Sequence, residues 1–168
     1  MPPGWWALLI ALLVTVVLGT VLRAREGRIT RRNNERGNGV DRSVFDQLPE
    51  EIAEVLRHEV TGGERESGAV APDRTHGRPP EVTLLQLSTT FCAPCRHTRI
   101  LLSTMAERTA GLRHVEIDLT NRPEWSGPLR VHTTPTTLAL DAAGRELFRL
   151  SGVPRREGLT EALRPHLP

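Results

Sequence analysis

Cysteine is scarce in this sequence, and lysine and tyrosine are missing altogether. The 168 residues include two cysteines, and all 22 strongly basic residues are arginines, a bias from which we draw no mechanism. The six histidines stand at positions 58, 76, 97, 114, 132 and 166, and no two have the spacing of a zinc-binding pair. Covalent haem attachment requires a histidine directly after the second cysteine, where Arg96 stands. We therefore expect no metal and no cofactor.

The two cysteines, Cys92 and Cys95, are separated by two residues in the sequence FCAPCR. A strand-like apolar run over residues 82–88 precedes them, and a segment with helical periodicity follows until Gly111. The first N–H groups of a helix have no intrahelical partner, so they and the helix dipole favour a thiolate at Cys92. We expect Cys92 to be the nucleophile and Cys95 to attack the mixed disulfide.

A purely structural disulfide is the remaining alternative for this pair. It would close a loop with only two intervening residues, so it would remove little conformational entropy from the unfolded chain. This alternative is disfavoured, but the sequence does not eliminate it.

Residues 5–22 form the one long uncharged run, WWALLIALLVTVVLGTVL. At 1.5 Å per residue it would reach about 27 Å, which predicts a single transmembrane helix in the cell membrane after a short N-terminus of residues 1–4. A cleaved signal peptide would need a basic segment before the run and small residues at a cleavage site after it. Neither is present, so we expect an uncleaved anchor in the lipid bilayer.

Arginines follow this run closely, with six of them against two glutamates in residues 23–36. The positive-inside rule then predicts that the body of the protein faces the cytoplasm. Because the basic residues concentrate beside the predicted membrane segment, they favour anionic lipid and not nucleic acid as a partner.

The remaining chain divides by composition. We expect a basic juxtamembrane tether over residues 23–42, an amphipathic helix over 43–60, a disordered linker over 61–80 and a compact domain over 81–168. Within this domain the pattern predicts a βαβ unit, a short connector with Trp125 as a packing residue, a β-hairpin around residues 141–144 and a final helix over residues 156–167. The fold class is therefore α/β.

This order of elements, with C-x-x-C at the start of the first helix, resembles the thioredoxin family over about the last ninety residues. A second match is Thr134-Pro135 before the third strand, because the family has a cis proline there that lies against the cysteine pair. The resemblance implies a thioredoxin-like fold. It also implies substrate binding by Phe91, Ala93, Pro94, Thr134 and Pro135 around Cys92.

Three positions depart from the family pattern. Phe91 replaces the usual tryptophan, Gln86 replaces a common buried carboxylate, and His114 stands where a lysine often pairs with that carboxylate. Since glutamine cannot accept a proton from Cys95, the rate and pH dependence of the dithiol chemistry should differ from the family's.

Our interpretation is a membrane-tethered thiol–disulfide oxidoreductase that reduces protein disulfides and receives electrons from a reductase donor. The pair Ala93-Pro94 resembles the Gly-Pro of reducing thioredoxins, and thiols in the cytoplasm are kept reduced. One alternative is an extracytoplasmic reductase of the cytochrome-maturation type. Another is a non-catalytic adaptor that uses the cysteines as a redox sensor.

Overall fold

The computed structural model describes residues 4–25, 28–31, 43–62 and 81–168. The helices are α1 Gly4–Arg25, α2 Glu50–Gly62, α3 Ala93–Arg108 and α4 Arg156–Leu163. The strands are β1 Arg28–Arg31, β2 Val82–Ser88, β3 Leu112–Asp118, β4 Thr136–Asp141 and β5 Glu146–Ser151. Single 3-10 turns lie at Phe45–Gln47, Pro123–Trp125 and Arg164–His166. Residues 1–3, 26–27, 32–42 and 63–80 lie outside this description, and with them most of the predicted short N-terminus, basic tether and disordered linker.

Helix α1 forms where the sequence has its long uncharged run, and its side chains from Trp5 to Thr20 are exposed. None of the helices that the structure describes is long and apolar enough to cross a membrane. The predicted transmembrane helix is therefore present as a helix but is not supported as a membrane span.

The strands form one mixed sheet in the order β1-β5-β4-β2-β3. Strands β2 and β3 are parallel and are joined by α3, while β4 pairs antiparallel with both β2 and β5. The predicted βαβ unit, hairpin and C-terminal helix are all present, which confirms the α/β fold class. Strand β1 extends the sheet by pairing antiparallel with β5, and it lies in a segment that we predicted to be tether.

The core consists of two layers because every residue of β2 is buried and its side chains alternate between the two faces. Leu85 and Leu87 pack under α2 together with Trp125. Val82 and Leu84 pack on the other face under α3 and α4. Both faces of the sheet are thus covered, as is usual where parallel strands are joined by a helix.

The predicted amphipathic helix is divided by Pro49. Leu48 is extended (φ −100°, ψ 153°), since the ring of a following proline disfavours the helical conformation. The 3-10 turn before it docks on the β4–β5 hairpin, where the N–H of Val44 donates to Gly144 O at 2.9 Å. Gly144 has φ +74°, and a side chain there would overlap the Phe45 ring. A glycine in the hairpin turn is therefore required by this contact as well as by the backbone.

The last helix is shorter than the twelve-residue pattern at residues 156–167 predicts. α4 ends at Leu163 and continues as a 3-10 turn that contains Pro165. Proline lacks an N–H group and its ring clashes with the preceding helical turn, so the α-helical hydrogen bonds stop there.

Candidate redox site

Four segments of the chain meet at one end of the sheet, where β2, β3 and β5 finish and β4 begins. Ser88, the last residue of β2, lies beside Asp118, the last residue of β3. Thr136, the first residue of β4, pairs with Leu87 on one side and with Ser151, the last residue of β5, on the other. The loops that follow β2, β3 and β5 and the loop that precedes β4 therefore lie together. We call this end of the sheet the redox end.

The two cysteines lie at the redox end and form a disulfide with an S–S distance of 2.06 Å. Cys92 is the N-cap of α3, and its Sγ accepts a hydrogen bond from the N–H of Cys95 at 3.2 Å. Cys95 is buried at 2% exposure, whereas Cys92 is half-buried. On reduction, the helix N-terminus and this N–H stabilise a thiolate on Cys92, the more accessible sulfur.

The loop before β4 contacts the loop that leads to Cys92. The Thr134–Pro135 peptide bond is cis. The hydroxyl of Thr134 lies 3.5 Å from the hydroxyl of Thr89, which is three residues before Cys92 in the chain. Pro135 is buried, and its carbonyl accepts from the N–H of Gly152 at 2.8 Å. A C-x-x-C pair at the start of the helix of a βαβ unit, with a cis proline loop beside it, completes the pattern that the sequence resembles. The fold is thioredoxin-like.

No protein-family model and no curated protein matches the chain. Its structural neighbours are thioredoxins. NaTrxh from Nicotiana alata is 20% identical, with 56% of this chain and 80% of that one covered and a TM-score of 0.47. The thioredoxin of Fasciola hepatica is 20% identical, with 52% and 83% covered and a TM-score of 0.46. A mutant thioredoxin from Halobacterium salinarum NRC-1 is 19% identical, with 53% and 77% covered and a TM-score of 0.48. Sequence identities of this size indicate a similar fold and say nothing about activity or substrate.

The predicted substrate-binding residues lie next to Cys92 in the chain or in the loop before β4 at the same end of the sheet. Phe91 is 93% exposed, and Ala93 and Pro94 are exposed beside it. Thr134 is half-buried across the gap, with Pro135 buried behind it. The sequence therefore identified residues that the fold brings together; their roles in binding stay a prediction.

Gln86 lies directly beneath the cysteine pair and is fully buried. Its amide nitrogen donates to the carbonyl of Cys95 at 3.0 Å and to Glu116 Oε1 at 3.2 Å. Its amide oxygen lies 3.2 Å from His114 Nε2. Since the nitrogen is the donor in the first two contacts, the oxygen is the acceptor and His114 carries its proton on Nε2. This proton blocks the nitrogen that faces the site, so the imidazole cannot act there as a base.

Glu116 and Arg99 complete this cluster, and the sequence analysis missed both. The guanidinium of Arg99 donates to both carboxylate oxygens of Glu116: Nη2 lies 2.9 Å from Oε1, and Nε donates to Oε2. Hydrogen bonding to Glu116 raises the pKa of Arg99. The alternation of β3 was the available signal, because His114 and Glu116 are two residues apart and share a face of the strand.

Two buried hydroxyls flank the same region. Thr98 is one helical turn beyond Cys95, and Thr137 is directly opposite Gln86 on β4. Neither Oγ1 has a hydrogen-bond partner among the residues that the structure describes. The region beneath Cys95 is therefore polar, and the side chain that donates to the Cys95 carbonyl, Gln86, is uncharged.

A second hydrogen-bond cluster fixes the loop that precedes Cys92. Asp118 accepts hydrogen bonds from the hydroxyl and N–H of Thr120 and from the hydroxyl of Thr90, and these bonds, chiefly those from Thr120, lower the pKa of its carboxyl. The Thr90 N–H also donates to Thr120 Oγ1 at 2.7 Å. The loops after β2 and β3 are thereby joined, which positions the backbone before the helix.

His114 predicts a pH dependence of folding stability. Burial lowers its pKa from 6.5 to about 4. Between these values the unfolded chain binds the proton and the folded chain does not, so stability is complete above pH 6.5 and declines as the pH falls towards 4. The loss should be up to about 3 kcal/mol. Urea unfolding of the full chain in detergent at pH 7.5 and pH 4.5 measures it.

His114→Asn is the control for this effect, because asparagine keeps a polar side chain without a titrating group. The variant should lose less stability between the two pH values than the unchanged chain. An identical loss in both chains would show that other groups, such as the carboxylates, cause the decline.

Proposed function

We propose that this protein is a thiol–disulfide oxidoreductase that reduces disulfides of other proteins. The observation that carries the proposal is the asymmetry of the pair: an accessible Cys92 at a helix N-terminus and a buried Cys95 one turn later, beside the loop of Pro135. A nucleophile must reach its substrate, whereas a resolving thiol needs only to reach the nucleophile.

The reaction starts from the dithiol. The Cys92 thiolate attacks one sulfur of a substrate disulfide, the S–S bond breaks, and the other substrate sulfur leaves as a thiolate. Cys95, deprotonated, then attacks Cys92 Sγ and releases the second substrate thiolate. Two electrons have passed to the substrate, the Cys92–Cys95 disulfide has formed, and an external dithiol reductant restores the starting state.

The residues between the two cysteines support reduction as the direction of electron flow. Ala93-Pro94 resembles the dipeptide of reducing family members, and a histidine next to the second cysteine, found in strongly oxidising relatives, is replaced by Pro94. These features favour a reductase.

Turnover tests the proposal. The full chain in detergent should reduce insulin disulfides catalytically when dithiothreitol is supplied, so that precipitation of the insulin B chain begins earlier than with dithiothreitol alone. A single stoichiometric exchange without turnover would instead favour the non-catalytic redox adaptor.

We also propose that α1 attaches the protein to a lipid bilayer. Its described side chains, from Trp5 to Thr20, are exposed and mostly apolar, including Trp5, Trp6 and Leu8 at 67%, 70% and 75% exposure. Exposed apolar surface of this extent is costly in water and indicates a membrane or a partner. The six arginines in residues 23–36 favour the cytoplasmic side for the folded domain.

Cell fractionation tests this attachment. The chain should stay with the membrane through high salt and alkaline carbonate, because apolar burial is insensitive to both. A control chain without residues 1–22 should appear in the supernatant. Release of the unchanged chain by salt alone would contradict the proposal, and protease protection in vesicles of known orientation would report the side.

A further inference from the structure

The redox end carries an unusual set of arginines. Five exposed arginines lie in its loops or in the helix turns beside them: Arg96, Arg122, Arg130, Arg155 and Arg156. None of the five appears among the ion pairs of the described residues, although Arg122 stacks over the Trp125 ring at 4.5 Å from its centroid. By contrast, Arg99, Arg145, Arg149 and Arg164 each pair with a carboxylate. The acids nearby are fewer: Asp118, already hydrogen-bonded to threonines, with Glu124 and Glu157. This end therefore presents positive charge to the solvent.

Two of these arginines are placed where they do not stabilise the fold. Arg155 is the N-cap of α4 and Arg156 is its first residue, and Arg155 makes no side-chain capping hydrogen bond. The positive end of the helix dipole lies there, so a cation is unfavourable and an acid or a small polar residue is the usual choice. A role outside the fold accounts for them better than a role in stability.

The chain also leads from α1 directly to this end of the sheet. β1 begins at Arg28, whose register partner is Ser151, the residue of β5 that lies beside Thr136 at the redox end. α1 ends at Arg25, only three residues earlier. Three residues span at most about 11 Å, so the end of α1 lies within that distance of the redox end's outer strand.

Phe91 adds an apolar contact at the same place. It is 93% exposed and directly precedes Cys92, and exposed Ala93 and Pro94 follow. An exposed aromatic ring among arginines is the combination that binds the boundary between headgroups and acyl chains, where the ring is buried and the cations meet lipid phosphates.

We infer that the redox end binds an anionic lipid surface, so that Cys92 acts on disulfides held close to the membrane. The inference rests on the proposed disulfide reduction and names the partner of that same site. Each arginine near an anionic surface adds to the attraction, and salt screens it. The cytoplasmic leaflet is the anionic one, which agrees with the proposed side.

Reduction rates on defined membranes test the inference. The full chain is reconstituted in vesicles of phosphatidylcholine alone or with 30% phosphatidylglycerol, and it is offered soluble insulin or a disulfide peptide linked to a lipid. On anionic vesicles we expect insulin reduction to be slower by roughly fivefold and the lipid-linked peptide to be reduced as fast or faster, with 0.5 M salt removing the difference.

Arg155→Gln/Arg156→Gln is the test variant, and Arg164→Gln, on the last turn after α4 and paired with Glu161, is the matched control. The double variant should lose most of the lipid dependence and keep its insulin activity on neutral vesicles, whereas the control should behave as the unchanged chain. The inference would be overturned if insulin were reduced equally fast on both membranes. It would also be overturned if the chain preferred acidic soluble peptides and the double variant lost that preference. No reduction of insulin in detergent would instead overturn the proposed function, and a chain that fails to join neutral vesicles would overturn attachment through α1.

Discussion

Cys92→Ser is expected to abolish catalytic disulfide reduction, with a loss of roughly a thousandfold or more, because the serine hydroxyl is not ionised near neutral pH and cannot replace the thiolate. The fold should remain intact, since Cys92 is half-buried at the N-cap and serine is a favoured N-cap residue. The insulin assay measures the loss, and the thermal unfolding midpoint of reduced chains checks the fold.

Cys95→Ser is the matched control, because it makes the same replacement of sulfur by oxygen at the other cysteine of the pair. This variant should still attack a substrate disulfide once but should remain trapped as a mixed disulfide, which mass spectrometry detects as a stoichiometric adduct. Activity in Cys92→Ser together with its loss in Cys95→Ser would reverse the two roles, in spite of the 2% exposure of Cys95.

Gln86→Asp is expected to have the second large effect, on the rate at which Cys95 resolves the mixed disulfide. The attacking species is the thiolate, and in the unchanged chain the Gln86 side chain beneath it cannot accept a proton. Resolution should therefore be slow near pH 7 and should accelerate towards the ordinary thiol pKa of about 8.5. A carboxylate at this position offers a proton acceptor and should speed resolution at pH 7 by roughly tenfold. Stopped-flow decay of the mixed disulfide measures both.

The same substitution should reduce stability by several kcal/mol at neutral pH, because a carboxylate would be buried beside Glu116, which now accepts from the Gln86 amide. His114 partly offsets this cost, since a neighbouring carboxylate raises the pKa of its imidazole and favours an ion pair.

Gln86→Asn is the control for Gln86→Asp: it has the same shorter length and no charge. It should reproduce the loss of the hydrogen bond to the Cys95 carbonyl without any gain in rate at pH 7. Equal rates and equal pH profiles for Gln86→Asp and the unchanged chain would show that another group already deprotonates Cys95. His97, two residues after Cys95, would then be the first candidate to replace.

Local sequence patterns determined much of this protein. The strand over residues 82–88, the helix that starts at the cysteines and the turn at residues 141–144 all follow from periodicity and turn residues, which act over a few neighbours. The cysteine pair and the Thr134-Pro135 loop were also predictable, because each has a short signature; the roles of Cys92 and Cys95 stay a prediction. The assignment of residues 5–22 as a helix was correct for the same reason.

Tertiary structure decided the contacts between distant segments. Strand β1 at Arg28–Arg31 carries no strand pattern of its own, and it is a strand because the edge of β5 offers it hydrogen bonds. Glu116 and Arg99 became part of the site only when β3 and α3 packed side by side. The arginines of the redox end come from three separate segments of the chain, and strand order and direction place these segments at the same end of the sheet. A local turn signal specifies the two strands of a hairpin, but pairing across a sheet also joins strands that are far apart along the chain, and no local pattern specifies those partners.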